Sequence, residues 1–67
     1  MNNKITIDDI NPGFIYQDQN NFLLALKETN KNEVIMYCLN SFIIMEFPIP
    51  KNSIVEYINN NRIIYVK

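Results

Sequence analysis

Residues 33–47 read Glu33-Val-Ile-Met-Tyr-Cys-Leu-Asn40-Ser41-Phe-Ile-Ile-Met-Glu-Phe47, and this stretch decides how the chain folds. It consists of two apolar arms of about six residues joined at Asn40-Ser41, and the arms are rich in β-branched and aromatic side chains. Asn-Ser at the centre is of the type that accepts the positive φ angles of a tight turn, so the spacing predicts a β-hairpin with strands over residues 33–39 and 42–47. The arms are too apolar for a clean alternation of inward and outward side chains. Both faces are therefore expected to be covered, as in the central hairpin of a small barrel or at a dimer interface.

Working toward the N-terminus, Thr29-Asn30-Lys31-Asn32 has turn composition. Residues 17–32 are the ambiguous part and admit two readings. In the favoured one, Gln17-Asp18-Gln19-Asn20-Asn21 is a polar hairpin loop and residues 22–29 form a strand with Phe22, Leu24 and Leu26 facing in. The alternative is a helix, because Phe22-Leu-Leu-Ala-Leu-Lys-Glu28 lacks β-branched residues and Asp18, Asn20 or Asn21 is placed to cap it. Phe14-Ile15-Tyr16 begins another strand. Before it, Asn11-Pro12-Gly13 is a turn in which Pro presets one φ angle and the chain's single glycine takes a conformation other residues resist. Lys4-Ile5-Thr6-Ile7 alternates and ends in Asp8-Asp9, the pattern of a short edge strand or an ordered arm.

Toward the C-terminus, Pro48-Ile49-Pro50 lacks two backbone donors, so strand pairing must stop there or lie at a sheet edge. Asn52 or Ser53 is placed to cap one turn of helix over Ile54, Val55 and Ile58, although the same residues also fit a strand. Asn59-Asn60-Asn61 is a turn, and residues 62–67 form a last strand. Short strands at turn spacings of about 8–12 residues are the mark of a small barrel or sandwich. The predicted fold is all-β: one domain over residues 1–67, a five-stranded SH3-like barrel with one short helical turn.

Composition narrows the function classes. The 67 residues are 48% hydrophobic, high for so small a chain, which favours apolar surface left over for a partner or a second copy. Six basic and seven acidic residues give a net charge of -1 with no basic stripe, which disfavours a nucleic-acid partner. Histidine is absent and Cys38 stands alone inside an apolar strand, so the usual metal ligands and catalytic bases are missing, and Cys38 reads as a buried, inert thiol. One glycine cannot build a phosphate-cradling loop. The seven carboxylates are scattered, with Asp8-Asp9 reading as a solvated turn. No enzyme activity and no cofactor are expected. The N-terminal residues show no leader pattern and no stretch is long enough to span a bilayer, so the expected location is the cytoplasm. Asn and Ile occur twelve times each, which matches AT-rich codons and points to a low-GC bacterium or a phage or mobile element within one.

Among the four tyrosines, Tyr57 with Asn59, Asn60 and Arg62, joined by Tyr16, forms the candidate contact set, since it combines amphipathic rings, amides and the chain's single guanidinium. The segment from Glu33-Val34 through Leu39-Asn40-Ser41-Phe42 to Met45 also resembles the first motif of the bacterial Hfq branch of the Sm-like RNA-binding proteins. Gln17-Asp18-Gln19, Leu26, Ile64-Tyr65 and Lys67 extend the likeness loosely. The resemblance implies a five-stranded barrel assembled into RNA-binding rings, with a helix near residues 20–29. Ser41 stands where that family has Gly, the family's later Gly is missing near Glu46, and Val66 interrupts its RNA-touching run, so no RNA contact transfers to a residue here. The leading functional expectation is a non-enzymatic module acting by protein–protein contact, as a phage or mobile-element accessory that modulates a host protein. The alternatives are the Sm-like ring and a structural homodimer joined through residues 62–67.

Overall fold

The computed structural model describes residues 4–67; Met1, Asn2 and Asn3, the first residues of the stretch read above for a leader pattern, lie outside the described residues. Six strands form one antiparallel sheet: β1 (Ile15–Asp18), β2 (Asn21–Asn30), β3 (Glu33–Cys38), β4 (Ile43–Ile44), β5 (Ile49–Pro50) and β6 (Tyr65–Val66). Their order is β4-β3-β2-β1-β6, and β5 pairs with β3 on the same side as β4. A helix, α1 (Lys51–Asn61), joins β5 to β6 and so connects the two ends of the sheet. The fold is the expected small β-rich domain, but its sheet is open, with no backbone pairing between the β4/β5 side and β6 among the described residues.

The ambiguous segment is a strand, so the helix that the Sm-like resemblance implies near residues 20–29 is absent. Its facing differs from the expectation, because the turn falls at Gln19-Asn20 with Gln19 at φ 57° and pairs Tyr16 with Leu23. Cross-strand partners share a face. Tyr16 is buried, so Leu23 and Ala25 turn to the core, while Phe22 and Leu24 turn away and Leu26 sits at a bulge between the Ala25 and Lys27 pairings. A shift of one residue reverses every side chain, and the turn position decides it.

The N-terminal arm is not an edge strand. Ile7–Asp9 is a 3-10 turn closed by the Thr6 N–H donating to the Asp9 carboxylate at 2.9 Å, and Ile5 and Ile10 on either side are buried. The 11–13 turn forms as expected, with the Phe14 N–H donating to the Asn11 carbonyl at 2.9 Å and Gly13 at φ 100°. An added Cβ at Gly13 would meet nothing, so the need for glycine lies in the backbone angle alone.

The central hairpin is looser than its sequence suggests. Leu39 to Phe42 make a four-residue connection in which Phe42, not Asn40 or Ser41, takes positive φ (58°), and its N–H donates to the Cys38 carbonyl at 2.9 Å. Asn40 is used elsewhere: its side chain accepts from the Phe22 N–H at 2.6 Å and donates to the Asn20 carbonyl at 3.1 Å, tying the two hairpin turns together. The second arm then pairs only at Ile43 and Ile44, with one further bond from the Met45 N–H to the Met36 carbonyl at 2.9 Å. Residues 41–48 are exposed throughout.

The single helical turn expected near Ile54 is instead an eleven-residue helix. Lys51, Ile54 and Ile58 recur at three- and four-residue spacing and are buried, with Val55 packed beside them. Neither Asn52 nor Ser53 caps it; Pro50 does so in extended conformation, with no side-chain hydrogen bond. Asn59, Asn60 and Asn61 are its last turn, and Arg62 ends it in the left-handed region (φ 52°), where the Ile63 N–H reaches back to the Ile58 carbonyl at 3.1 Å. Only Tyr65 and Val66 of the final segment form strand pairs. The core gathers Ile5, Ile10, Phe14, Tyr16, Ala25, Val34, Met36, Ile54 and Ile58 between sheet and helix. Lys51, buried among them, makes its ion pair with Glu28.

Candidate functional site

The predicted contact set does not gather on one surface. Tyr57 and Asn59 are two residues apart on α1, a rotation of about 200°, and so project to opposite flanks of its buried stripe. Tyr57 lies over β1: its hydroxyl donates to the Asp18 carboxylate, and its ring meets Tyr16 edge-on with centroids 6.3 Å apart. Tyr16 itself is buried in the core. Asn59 pins the N-terminal arm, accepting from the Ile5 N–H at 3.1 Å and donating to the Ile5 carbonyl at 3.0 Å. Asn60 and Arg62 are exposed at the helix end.

Burial, with the negative charge of Asp18 nearby, pushes the Tyr16 phenol up to about 12, and the hydrogen bond to Asp18 raises Tyr57 above its ordinary 10. Both shifts mean the folded protein holds these protons more tightly than the unfolded chain. Their contribution to stability is complete below pH 10 and declines as pH rises through the folded values. Phenolate absorbance followed along an alkaline titration should show Tyr16 and Tyr57 ionising above pH 10, with denaturant resistance falling over the same range. Tyr16→Phe should remove the ionisation near 12.

Cys38, expected to be buried, is only half-buried at the end of β3, and hydrogen bonding from Ser41, side chain first and backbone second, holds its thiol below the ordinary value. Among the described residues no helix is long and apolar enough to cross a membrane.

The surface that stands out is the face of the sheet turned away from α1. Because Tyr16 and Leu23 point to the core, their neighbours point the other way. The register carries that second face unbroken across the sheet, from Val66 to Ile15, Leu24, Tyr37 and Ile44. These five apolar residues on five adjacent strands span roughly 20 Å at the usual strand spacing. Phe22, beside Gln17, starts a second row on the same face, and Ile64, whose carbonyl accepts from the Gln17 N–H at 3.0 Å, extends it. Ile64 is 71% exposed, Val66 61%, Ile44 54% and Phe22 43%. A sheet with one solvated face normally alternates polar side chains onto it. Here the outward row is apolar, half-buried at Ile15, Leu24 and Tyr37 and exposed at its two ends, although Gln17 and Lys27 stand on the same face.

Beyond β4 the apolar surface continues into Phe42 and Phe47, the two most exposed aromatic residues, and into a shallow groove lined by residues 43–49. Comparison with protein families, characterised proteins and solved structures finds no match. The functional reading therefore rests on the site itself.

The candidate contact set contains none of the residues of this face, and only the homodimer alternative through residues 62–67 touches it, at Ile64 and Val66. The signal was present in the arms around Asn40-Ser41 and in Phe14-Ile15-Tyr16, where apolar residues occupy both parities. That pattern said that both faces need cover, and the helix supplies it for one only.

Proposed function

We propose that this chain is a non-enzymatic binding module that acts by protein–protein contact through the outer face of its sheet. The observation that carries the reading is the unbroken apolar row from Val66 to Ile44 on a face that α1 does not cover. Contiguous apolar surface of this kind marks a contact site on a small domain. The row itself carries no cation and the face around it only a lone lysine, Lys27 opposite Ile35, which is too little positive charge to attract phosphate and favours protein over nucleic acid as the partner. In fold terms the reading is an SH3-like barrel whose seam is bridged by α1 instead of by strand pairing. The bulges in β2, which bend and twist a strand, support that view. The setting we propose is cytoplasmic, with a phage or mobile-element accessory modulating a host protein in a low-GC bacterium; the AT-rich residue usage supports this part.

Capture on the immobilised chain from lysate of a low-GC bacterium tests the reading. Wild type should retain a protein near stoichiometric yield, and Ile44→Lys, which places a charge on the exposed end of the apolar row, should lose it. No retained protein, or retention indifferent to Ile44→Lys, overturns the proposal.

A further inference from the structure

We infer that the cleft between the end of β1 and the first two turns of α1 is a binding site for an alkylammonium group, carried by a lysine side chain of a partner or by a free amine. The inference is independent of the outer-face reading, because Tyr16 and Asp18 alternate with Gln17 and so lie on the sheet face that α1 covers. Tyr16, Asp18, Ile49, Ser53, Ile54 and Tyr57 line the cleft, whose volume is about 200 Å³. Sites for drug-sized ligands run to about 300–1,000 Å³, so this space suits a group of a few non-hydrogen atoms.

The charge in the cleft has no counterpart. Lys51 pairs with Glu28 and Lys67 with Asp9, and among the described residues no cation pairs with Asp18. The Asp18 carboxylate is half-buried, and one of its oxygens accepts from the Tyr57 hydroxyl. Its second oxygen is left for an incoming donor. The Ser53 hydroxyl, on the helix side of the cleft, has no hydrogen-bond partner among the described residues either. Tyr16 and Tyr57 keep their phenolic protons beyond pH 10, so at neutral pH the carboxylate is the single charge of the site. Their rings meet edge-on with centroids 6.3 Å apart, and an aromatic ring attracts a cation over its face to within about 6 Å of the centroid. A carboxylate beside two tyrosines, walled by Ile49 and Ile54, matches a cation on an apolar stem. Guanidinium fits less well, because its fork takes both carboxylate oxygens and one is held by Tyr57. A divalent metal needs several oxygen ligands, and no cluster of three acidic, Cys or His side chains occurs among the described residues.

Amide chemical shifts of the full chain titrated with n-butylammonium chloride test this, with n-butanol as the uncharged control. Wild type should saturate with a dissociation constant of about a millimolar, the shifted amides clustering at residues 16–18 and 53–57, and n-butanol should give no saturable shift. Asp18→Asn, whose amide oxygen can still accept from Tyr57, should weaken binding about tenfold or more. Tyr57→Leu should weaken it as well, through loss of the ring. Glu46→Gln, which changes the net charge equally but at an exposed position outside the cleft, should leave it unaltered. If circular dichroism shows Tyr57→Leu to be unfolded, Asp18→Asn decides alone. Shifts that never saturate, equal binding of n-butanol, or an Asp18→Asn titration that matches wild type overturns the inference. Nα-acetyl-lysine N-methylamide then identifies the source: binding at least as tight as that of n-butylammonium assigns the site to a lysine side chain and weaker binding to a free amine, and either sustains the ammonium assignment.

Discussion

Phe14→Ala should leave most of the chain unfolded in water at room temperature. Phe14 is 1% exposed, its ring stacks on Tyr65 with centroids 5.7 Å apart, and it lies 6.3 Å from the Tyr16 ring. Its backbone also holds the sheet, since its carbonyl accepts from the Ala25 N–H at 2.7 Å. Truncating a buried Phe costs about 3–5 kcal/mol, transfer and cavity together. At the usual stability per residue, 67 residues provide roughly 3–10 kcal/mol in all. The substitution therefore removes a large share of the total, and no neighbouring element is free to collapse into the space, because Tyr16 and Tyr65 are held in sheet pairings with each other. Urea unfolding followed by circular dichroism should show a strongly lowered midpoint or no native baseline. A variant with an unchanged midpoint would mean that this ring cluster is not what holds the arm, sheet and helix together.

Lys51→Ala should cost about 2–4 kcal/mol, below the upper range for breaking a buried pair because Glu28 retains access to water. The Lys51 side chain is 4% exposed and that of Glu28 38%. Lys51 also opens α1, and its backbone N–H donates to the Asn32 carbonyl at 2.8 Å, so one residue joins helix, turn and β2. Its methylene stem packs in the interior while the ammonium reaches the carboxylate. Lys51→Met keeps the stem and drops the charge, and should cost less than Lys51→Ala by the share that stem packing contributes. Adding Glu28→Gln to Lys51→Met should recover part of the remainder, since no carboxylate is then left without its cation. Equal losses for the Ala and Met variants would place the whole effect in the ion pair and none in packing.

How far the sequence could be read varied by element, for identifiable reasons. The turn at Gly13, the strands from Ile15 and Glu33, and the edge position of Ile49-Pro50 follow from local chemistry that tertiary structure did not override: a positive φ, β-branched runs and missing donors. The facing of residues 22–26 was not readable, because residues 17–21 are polar throughout and several positions for the turn look equivalent, while a slip of one residue inverts the face. The length of α1 was hidden for a different reason. Ile54, Val55 and Ile58 fit both periods, no side-chain cap announces the start, and the three asparagines that resemble a turn are carried inside the last turn by packing at Ile58. The site was half legible. Apolar residues at both parities signalled two faces in need of cover, but which face α1 would take depends on the crossing from β5 to β6, and no local pattern encodes that.

The pairing of β6 with β1 places Ile15 beside Val66, and the Asn59 side chain of α1 separately holds the backbone of Ile5. Synthesis proceeds from the N-terminus, so β1 must wait with one side unsatisfied while every intervening residue is made. The two hairpins can form early from near neighbours in the chain, but the sheet is finished only when the last strand has left the ribosome. Completion is therefore a late, long-range event, and until then the nascent polypeptide offers chaperones the same ribbon of backbone that β6 will claim.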